Sequence, residues 1–285
     1  VVQVIPTFAV AGLPQPGRTL VVGVVNVTPD SFSDGGRWFD PDAAVAHGLD
    51  LLDQGADIID VGGESTRPGA VRPPLAEELR RVMSVVPRLV EAGAVVSVDT
   101  MRTAVVDEAV DAGAKLVNDV SGGQADPQMF ATIARLGVPY VCMHWRGHSA
   151  QMQSRASYLD VVSEVVAELR HQVGAAVRAG IDPDQLILDP GVGFAKTGEH
   201  NWQLLHRFDE FAVLGRPLLV GVSRKAFLGT LLPDRQGSPR PPNGRDGAST
   251  ALTVVLAQHR VWGIRVHSVR ASRDAIAVVQ RLAQG

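Results

Sequence analysis

Charged side chains close the last two apolar runs of this chain. Ser223-Arg224-Lys225 ends the run Pro217–Ser223, and Arg265 and His267 lie two apart in the run Gly263–Val269. Residues two apart on a strand share a face, so Arg265 and His267 point the same way. An Arg in an apolar strand calls for an anionic partner, since an unpaired buried charge is costly. Arg offers phosphate oxygens a planar fork and Lys offers them a point charge. The cations together suggest a phosphate or pyrophosphate ligand.

Carboxylates and amides close the earlier runs: Asp99, Asn118 and Asp189. A carboxylate accepts two parallel N–H bonds, and Asn both donates and accepts, so the three suit a flat heterocycle with amide-like donors. Asn26 lies near the end of the first run, Glu64, Thr66 and Arg67 follow the second, and His144 lies near the end of the fifth. One Asn oxygen plus ligand phosphates is an arrangement that Mg2+ favours. Taken singly, each of these residues reads as a helix cap or turn former. The argument rests on their recurrence at one end of successive runs. Asp60 and Asp119 are harder to place and are expected to be structural. No Cys/His cluster has zinc spacing, no P-loop occurs, and no Ser-His-Asp or Cys-His set is evident.

Eight strand–helix units position these residues. Runs begin at Leu20–Thr28, Asp57–Gly63, Ala94–Thr100 and Leu116–Gly122, then continue at Pro139–Trp145, Leu186–Gly191, Pro217–Ser223 and Gly263–Val269. Nearly continuous Val/Ile/Leu runs mark strands buried on both faces of a parallel sheet. Between them, amphipathic stretches predict helices near 42–54, 75–92, 102–112, 127–136, 158–179, 200–208, 248–259 and 272–282. Several close on Gly, as at Gly55, Gly93, Gly113 and Gly180, the expected residue just past a helix end. The pattern predicts an α/β fold, a single (β/α)8 TIM barrel, whose active site is built at the C-terminal ends of the strands. A doubly wound open sheet fits less well, because no Gly-rich fingerprint follows the first strand. Residues 1–19 are expected to form an N-terminal arm rather than a signal peptide, and 20–285 one catalytic domain. Long loops after strands 1, 2 and 7, at 29–40, 64–74 and 232–247, are expected to be mobile.

The net charge of −3 carries no basic surplus for nucleic acid or an anionic membrane. No apolar run reaches a bilayer's length. The single cysteine, Cys142, rules out an internal disulfide, fits a reducing compartment such as the cytoplasm, and is expected in the core.

Two loops resemble the signature loops of the dihydropteroate synthases, of the pterin-binding enzyme family: Asn26-Val-Thr-Pro-Asp-Ser-Phe-Ser-Asp-Gly-Gly36 and Gly62-Gly-Glu-Ser-Thr-Arg-Pro-Gly69. The resemblance continues through Ser97-Val-Asp-Thr100, Val117-Asn-Asp-Val-Ser-Gly122, Met143-His144, Leu188-Asp-Pro-Gly191 with Gly193-Phe194, Ser223-Arg-Lys225 and Arg265-Val-His267. It implies condensation of 6-hydroxymethyl-7,8-dihydropterin pyrophosphate with p-aminobenzoate, through an SN1-like pterin cation. By resemblance, Asn26 ligates Mg2+ on the pyrophosphate. Asp99, Asn118, Asp189 and Lys225 hold the pterin, and Arg67, Arg265 and His267 hold the pyrophosphate. Thr66, Phe194 and Ser223 border the p-aminobenzoate pocket, and Asp34 helps complete the closed site. Asp99, Lys225, Arg265 and His267, with Asp34, are the catalytic candidates. The resemblance also implies a homodimer and competition by sulfonamides. Ser268 departs from the family pattern, which has Asp there. A pterin-binding methyltransferase shares the Asp/Asn contacts but has no use for the Ser-Arg-Lys and Arg-x-His groups. A non-catalytic paralogue fits poorly with intact Asn26, Asp34, Thr66, Arg67 and Lys225. Another phosphate-binding barrel explains strands 7 and 8 but not the two loops.

Overall fold

The computed structural model describes residues 8–28, 40–67, 69–148 and 151–284. Eight parallel strands form one sheet: β1 (Leu20–Asn26), β2 (Ile58–Gly62), β3 (Val96–Asp99), β4 (Leu116–Asp119), β5 (Tyr140–Met143), β6 (Leu186–Asp189), β7 (Leu219–Val220) and β8 (Gly263–Val266). Their order, β6-β5-β4-β3-β2-β1-β8-β7, leaves β6 and β7 at the two ends. A single parallel bridge, Leu188 to Leu218, with Leu188 N–H donating to the Pro217 carbonyl at 2.9 Å, joins those ends and closes the barrel.

Ten helices cover the described part of the barrel. They are α1 (Pro41–Asp53), α2 (Leu75–Met83), α3 (Val86–Glu91), α4 (Thr103–Asp111), α5 (Met129–Leu136), α6 (Val161–Arg178), α7 (Gly198–His206), α8 (Ala226–Leu231), α9 (Asp246–Gln258) and α10 (Val269–Ala283). Asp40 caps α1 and Asp160 caps α6, each accepting from two backbone N–H groups that the helix cannot satisfy.

The alternation of strand side chains makes two cores. Outward residues such as Val21, Ile59, Val61, Val98 and Val117 pack under the helices. Inward residues Leu20, Val22, Ile58, Leu116, Val141, Ile187 and Leu219 fill the lower barrel. Val10 and Leu13 of the N-terminal arm, with Trp262, join that inner cluster. Each fully buried Leu, Ile or Val contributes roughly 1.5–3 kcal/mol.

Two elements differ from the sequence reading. The stretch 75–92 splits into α2 and α3, because Pro87 has no N–H to offer the Met83 carbonyl. Directly after Lys225, the short helix α8 occupies 226–231, which showed no clear period. The Pro-rich connection beyond it carries its own turns, with Arg240 N–H donating to the Gly229 carbonyl at 3.1 Å.

Candidate active site

At the C-terminal rim the barrel opens into a cavity of about 540 Å3. Asn26, Thr66, Arg67, Asp99, Asn118, Asp189, Phe194, Ser223, Lys225, Arg265 and His267 all line it. The structure therefore brings together candidates from β1, β3, β4, β6 and β8 and from the loops after β2, β6 and β7. Asp34 lies outside the described residues.

Beneath the cavity runs a charged lattice. Arg265 donates from Nε to Asp60 Oδ2 at 2.6 Å and from Nη2 to Asp99 Oδ2 at 2.8 Å. Asn118 Nδ2 donates to the same Asp60 oxygen at 3.0 Å, which leaves the Asn118 carbonyl to accept. The anionic partner that an Arg in this strand calls for is supplied within the chain, by two carboxylates. Asp60 is fully buried and sets the orientation of both Arg265 and Asn118. Burial pushes the Asp99 carboxyl above its ordinary range, against the pull of Arg265. Asp119 is structural, accepting from the backbone N–H groups of Ser121 and Gly123 and from the hydroxyls of Ser121 and Tyr140.

Asp189 ends β6 at a turn that only glycine can make. Its Oδ1 accepts from Gly191 N–H at 2.7 Å. A Cβ on Gly191 would fall 2.5 Å from the His144 carbonyl oxygen, and one on Gly193 would fall 2.7 Å from Lys225 Cδ. Burial raises the Asp189 carboxyl, with Lys225 opposing. Lys225 Nζ donates to the Val192 carbonyl and lies 4.4 Å from the centre of the Phe194 ring, a cation–π distance. Desolvation pulls the Lys225 amine down to about 8.

Ser223 meets His267, its Oγ lying 3.0 Å from Nδ1. Between Ser223 and Lys225, Arg224 has a left-handed backbone, φ 59°. Such a conformation costs a side-chain-bearing residue about 1–3 kcal/mol. Here α9 holds it: Arg224 pairs with Asp246 at 2.7 Å, its N–H donates to Ser249 Oγ, and Arg245 donates to its carbonyl. The clamp turns Ser223 and Lys225 into the cavity.

The loop after β2 is braced at its base. Glu64 accepts from Arg72 Nε at 2.9 Å, and Arg102 donates to the Pro73 carbonyl. Arg72→Ala is expected to leave the barrel folded and to speed amide exchange through 65–71 by about tenfold. Hydrogen–deuterium exchange reads this directly, and unchanged exchange would show that the pair does not hold the loop.

His144, grouped with the rim residues from its place in the sequence, is fully buried behind the cavity wall. Its neighbour Met143 lines the cavity instead, as the two-residue period requires. Lys196 also lines the cavity and was not singled out from sequence. A lysine among Gly191, Gly193, Phe194 and Ala195 was the available signal.

The fold and site define a (β/α)8-barrel enzyme with acceptors on β3, β4 and β6 facing cations at β7 and β8. Residues 22–267 match the model of the pterin binding enzyme family. The chain is 54% identical over 260 residues to the dihydropteroate synthase of Mycobacterium leprae, covering 91% of this chain and 92% of that one. The Yersinia pestis dihydropteroate synthase, solved as a sulfonamide drug complex, superposes with a TM-score of 0.91 at 39% identity, covering 98% of this chain and 99% of that one. The Xanthomonas albilineans enzyme in complex with 7,8-dihydropteroate superposes at 0.84 with 41% identity, covering 98% and 100%. The chain belongs to the dihydropteroate synthases, transferases of folate biosynthesis within the pterin-binding enzymes.

Proposed function

We propose that this cavity condenses 6-hydroxymethyl-7,8-dihydropterin pyrophosphate with p-aminobenzoate, forming 7,8-dihydropteroate and pyrophosphate. The observation that carries the reading is one cavity in which Asp99, Asn118 and Asp189 face Lys225, Arg265 and His267. The 7,8-dihydropteroate held by the Xanthomonas relative supports the same product here. Asp189 and Asn118 accept from the pterin's amino and ring N–H groups, and Lys225 donates to its ring acceptors. Arg67, Arg265 and His267 hold the pyrophosphate. Thr66, Phe194 and Ser223 flank the p-aminobenzoate ring.

The CH2–O bond breaks first, leaving its electron pair on pyrophosphate and a positive charge on the pterin. Arg67, Arg265 and His267 stabilise the anion as it departs. Asp99 stabilises the cation, provided that its carboxyl is ionised beside Arg265. The aromatic amine then donates its lone pair to the CH2 carbon and loses a proton to solvent. An aniline nitrogen is already nucleophilic, so the step needs no strong base. Exclusion of water from the closed site would protect the cation, a role that falls to the loop at 64–74 and to residues 29–39, which lie outside the described residues.

The donor set fits a magnesium ion delivered with the substrate. Asn26 places a hard oxygen donor at the cavity wall, and among the described residues no three His, Cys, Asp or Glu side chains gather to hold a metal by themselves. Asn26 would hold Mg2+ together with pyrophosphate oxygens. The bound ion supplies charge neutralisation to the leaving group.

Residues 20–285 act as one catalytic domain with 1–19 as its arm, working as a cytoplasmic homodimer. Exposed Val255 on α9 and exposed Val278 and Leu282 on α10 support an interface on those neighbouring helices. Among the described residues no helix is long and apolar enough to cross a membrane. Cys142 is a fully buried free thiol.

The test is pyrophosphate release from the pterin substrate with Mg2+, with and without p-aminobenzoate. Release that depends on p-aminobenzoate, with dihydropteroate formed, supports the reading, and tight pterin binding without turnover overturns it. Asp34→Ala is expected to leave pterin affinity within about twofold and to slow kcat by roughly a hundredfold. Normal turnover in that variant would remove Asp34 from the closed site.

A further inference from the structure

Behind the wall that carries Asp189, hydrogen bonds link Lys196 to His144 and His144 to Glu168, which also pairs with Arg146. Lys196 is 3% exposed, and its Nζ lies 2.9 Å from His144 Nδ1 and 3.1 Å from the Phe194 carbonyl oxygen. On the far side of the imidazole, Nε2 lies 2.9 Å from Glu168 Oε2 on α6. Arg146 Nε donates to that same oxygen at 3.2 Å.

An ammonium can only donate, so His144 Nδ1 accepts from Lys196 and Nε2–H donates to Glu168. The tautomer is thereby set, and His144 becomes a fixed acceptor for Lys196. The backbone is also committed to this placement. Ala195, immediately before the lysine, is left-handed at φ 48°, and its carbonyl accepts from Tyr158 OH at 3.0 Å. The Lys196 amine lies against the turn that holds Asp189: a Cβ on Gly191, whose N–H binds that carboxylate, would sit 3.4 Å from Nζ.

We propose that Lys196 is a positioning residue of the pterin pocket, whose ammonium, docked on His144, holds the Asp189 carboxylate in its ionised, accepting form. The inference rests on the reading of Asp189 as the pterin acceptor. Lys225, the other amine of the pocket, has its own anchors at the Val192 carbonyl and Phe194. Lys196 has a different anchor, with His144 as its dock.

The titration of the group supports this role. Burial pulls Lys196 down to about 7, with Asp189 raising it and Lys225 lowering it. Burial, with Lys196 next, pulls His144 down to about 4, which keeps the imidazole neutral. The other titratable groups around Lys196 are Arg146 and Tyr158 beyond β5, Glu168 on α6 and His200 on α7. Removing the Lys196 charge lets burial carry the Asp189 carboxyl further up. Pterin affinity then fails at a higher pH as the solution is acidified. Above the Lys196 transition, the amine is neutral in the unaltered chain as well, so the difference closes.

Lys196→Gln tests this, since the amide keeps N–H donors and drops the charge. The probe is 6-hydroxymethyl-7,8-dihydropterin, which lacks the titrating pyrophosphate, with its Kd measured by calorimetry from pH 5.5 to 9. The expected result is an affinity about tenfold weaker at pH 6, for a one-unit displacement of the transition, converging with the unaltered chain near pH 9. Glu168→Gln, on the far side of His144, is expected to move the profile in the same direction by a smaller amount, and it serves alone should Lys196→Gln fail to fold. Superimposable profiles, or a loss of equal size at every pH, would overturn the proposal. Asp189→Asn is the control. If it binds the probe normally, the reading of Asp189 fails. If it binds poorly while the Lys196 and Glu168 variants match the unaltered chain, only the role of Lys196 fails.

Discussion

Replacing Arg265 by methionine is expected to destabilise the barrel by about 3–5 kcal/mol, because two buried carboxylates lose their shared cation. Asp60 is fully buried and the Asp99 side chain is 6% exposed, so neither can recover its solvation by turning outward. Methionine fills much of the lost volume, which separates the charge effect from a cavity effect. Asp99, whose carboxyl burial already raises against the pull of Arg265, is then expected to take up a proton for the chain to fold. The penalty therefore grows as pH rises, since each proton must be drawn from a more dilute supply. Urea unfolding between pH 5 and 8 measures this. A loss below about 1 kcal/mol across that range would show that the two carboxylates do not depend on Arg265. Turnover is expected to fall with stability, because Asn118 and Asp99 lose the lattice that orients them.

Lys225→Ala carries the largest expected loss in binding. Its amine is desolvated beside the Val192 carbonyl and the Phe194 ring, and its charge opposes the rise that burial causes in the Asp189 carboxyl. A hydrogen bond from a charged donor is worth about 1.5–3 kcal/mol, so truncation should weaken pterin affinity by roughly tenfold to a hundredfold, with more lost if Asp189 takes up a proton. Calorimetry with the dihydropterin reads the loss. An affinity within twofold of the unaltered chain would take Lys225 out of the pterin contact.

The barrel was legible from sequence because its signals are periodic. Buried parallel strands read as Val/Ile/Leu runs, and polar residues at their ends mark the rim. The break at Ser84–Val85 follows from Pro87, a local cue overridden by the longer amphipathic pattern. His144, expected at the rim, turns away from the cavity and Met143 lines it, since adjacent strand residues face opposite ways and a side chain's chemistry does not say which. Asp60 shows the limit from the other side. It shares the inward face of β2 with Ile58, and an Asp there implies an internal cation. Its partner is 205 positions away on β8, a pairing that spacing along the chain does not reveal. Lys196 was hidden for a different reason. Its direction is set by the positive φ of Gly193 and Ala195, and irregular backbone has no period to read.

The one-bridge seam between β6 and β7 has a consequence for what a bound pterin does to the protein. Asp189 stands at the end of one bank and Lys225 just past the end of the other, so on the proposed reading a pterin held between them would work as a rung that the backbone itself omits. By mass action, a pterin present at a hundred times its dissociation constant would stabilise the folded barrel by about 2.7 kcal/mol. On the proposed reading the substrate would supply part of the cross-linking that the other strand pairs receive from their own ladders.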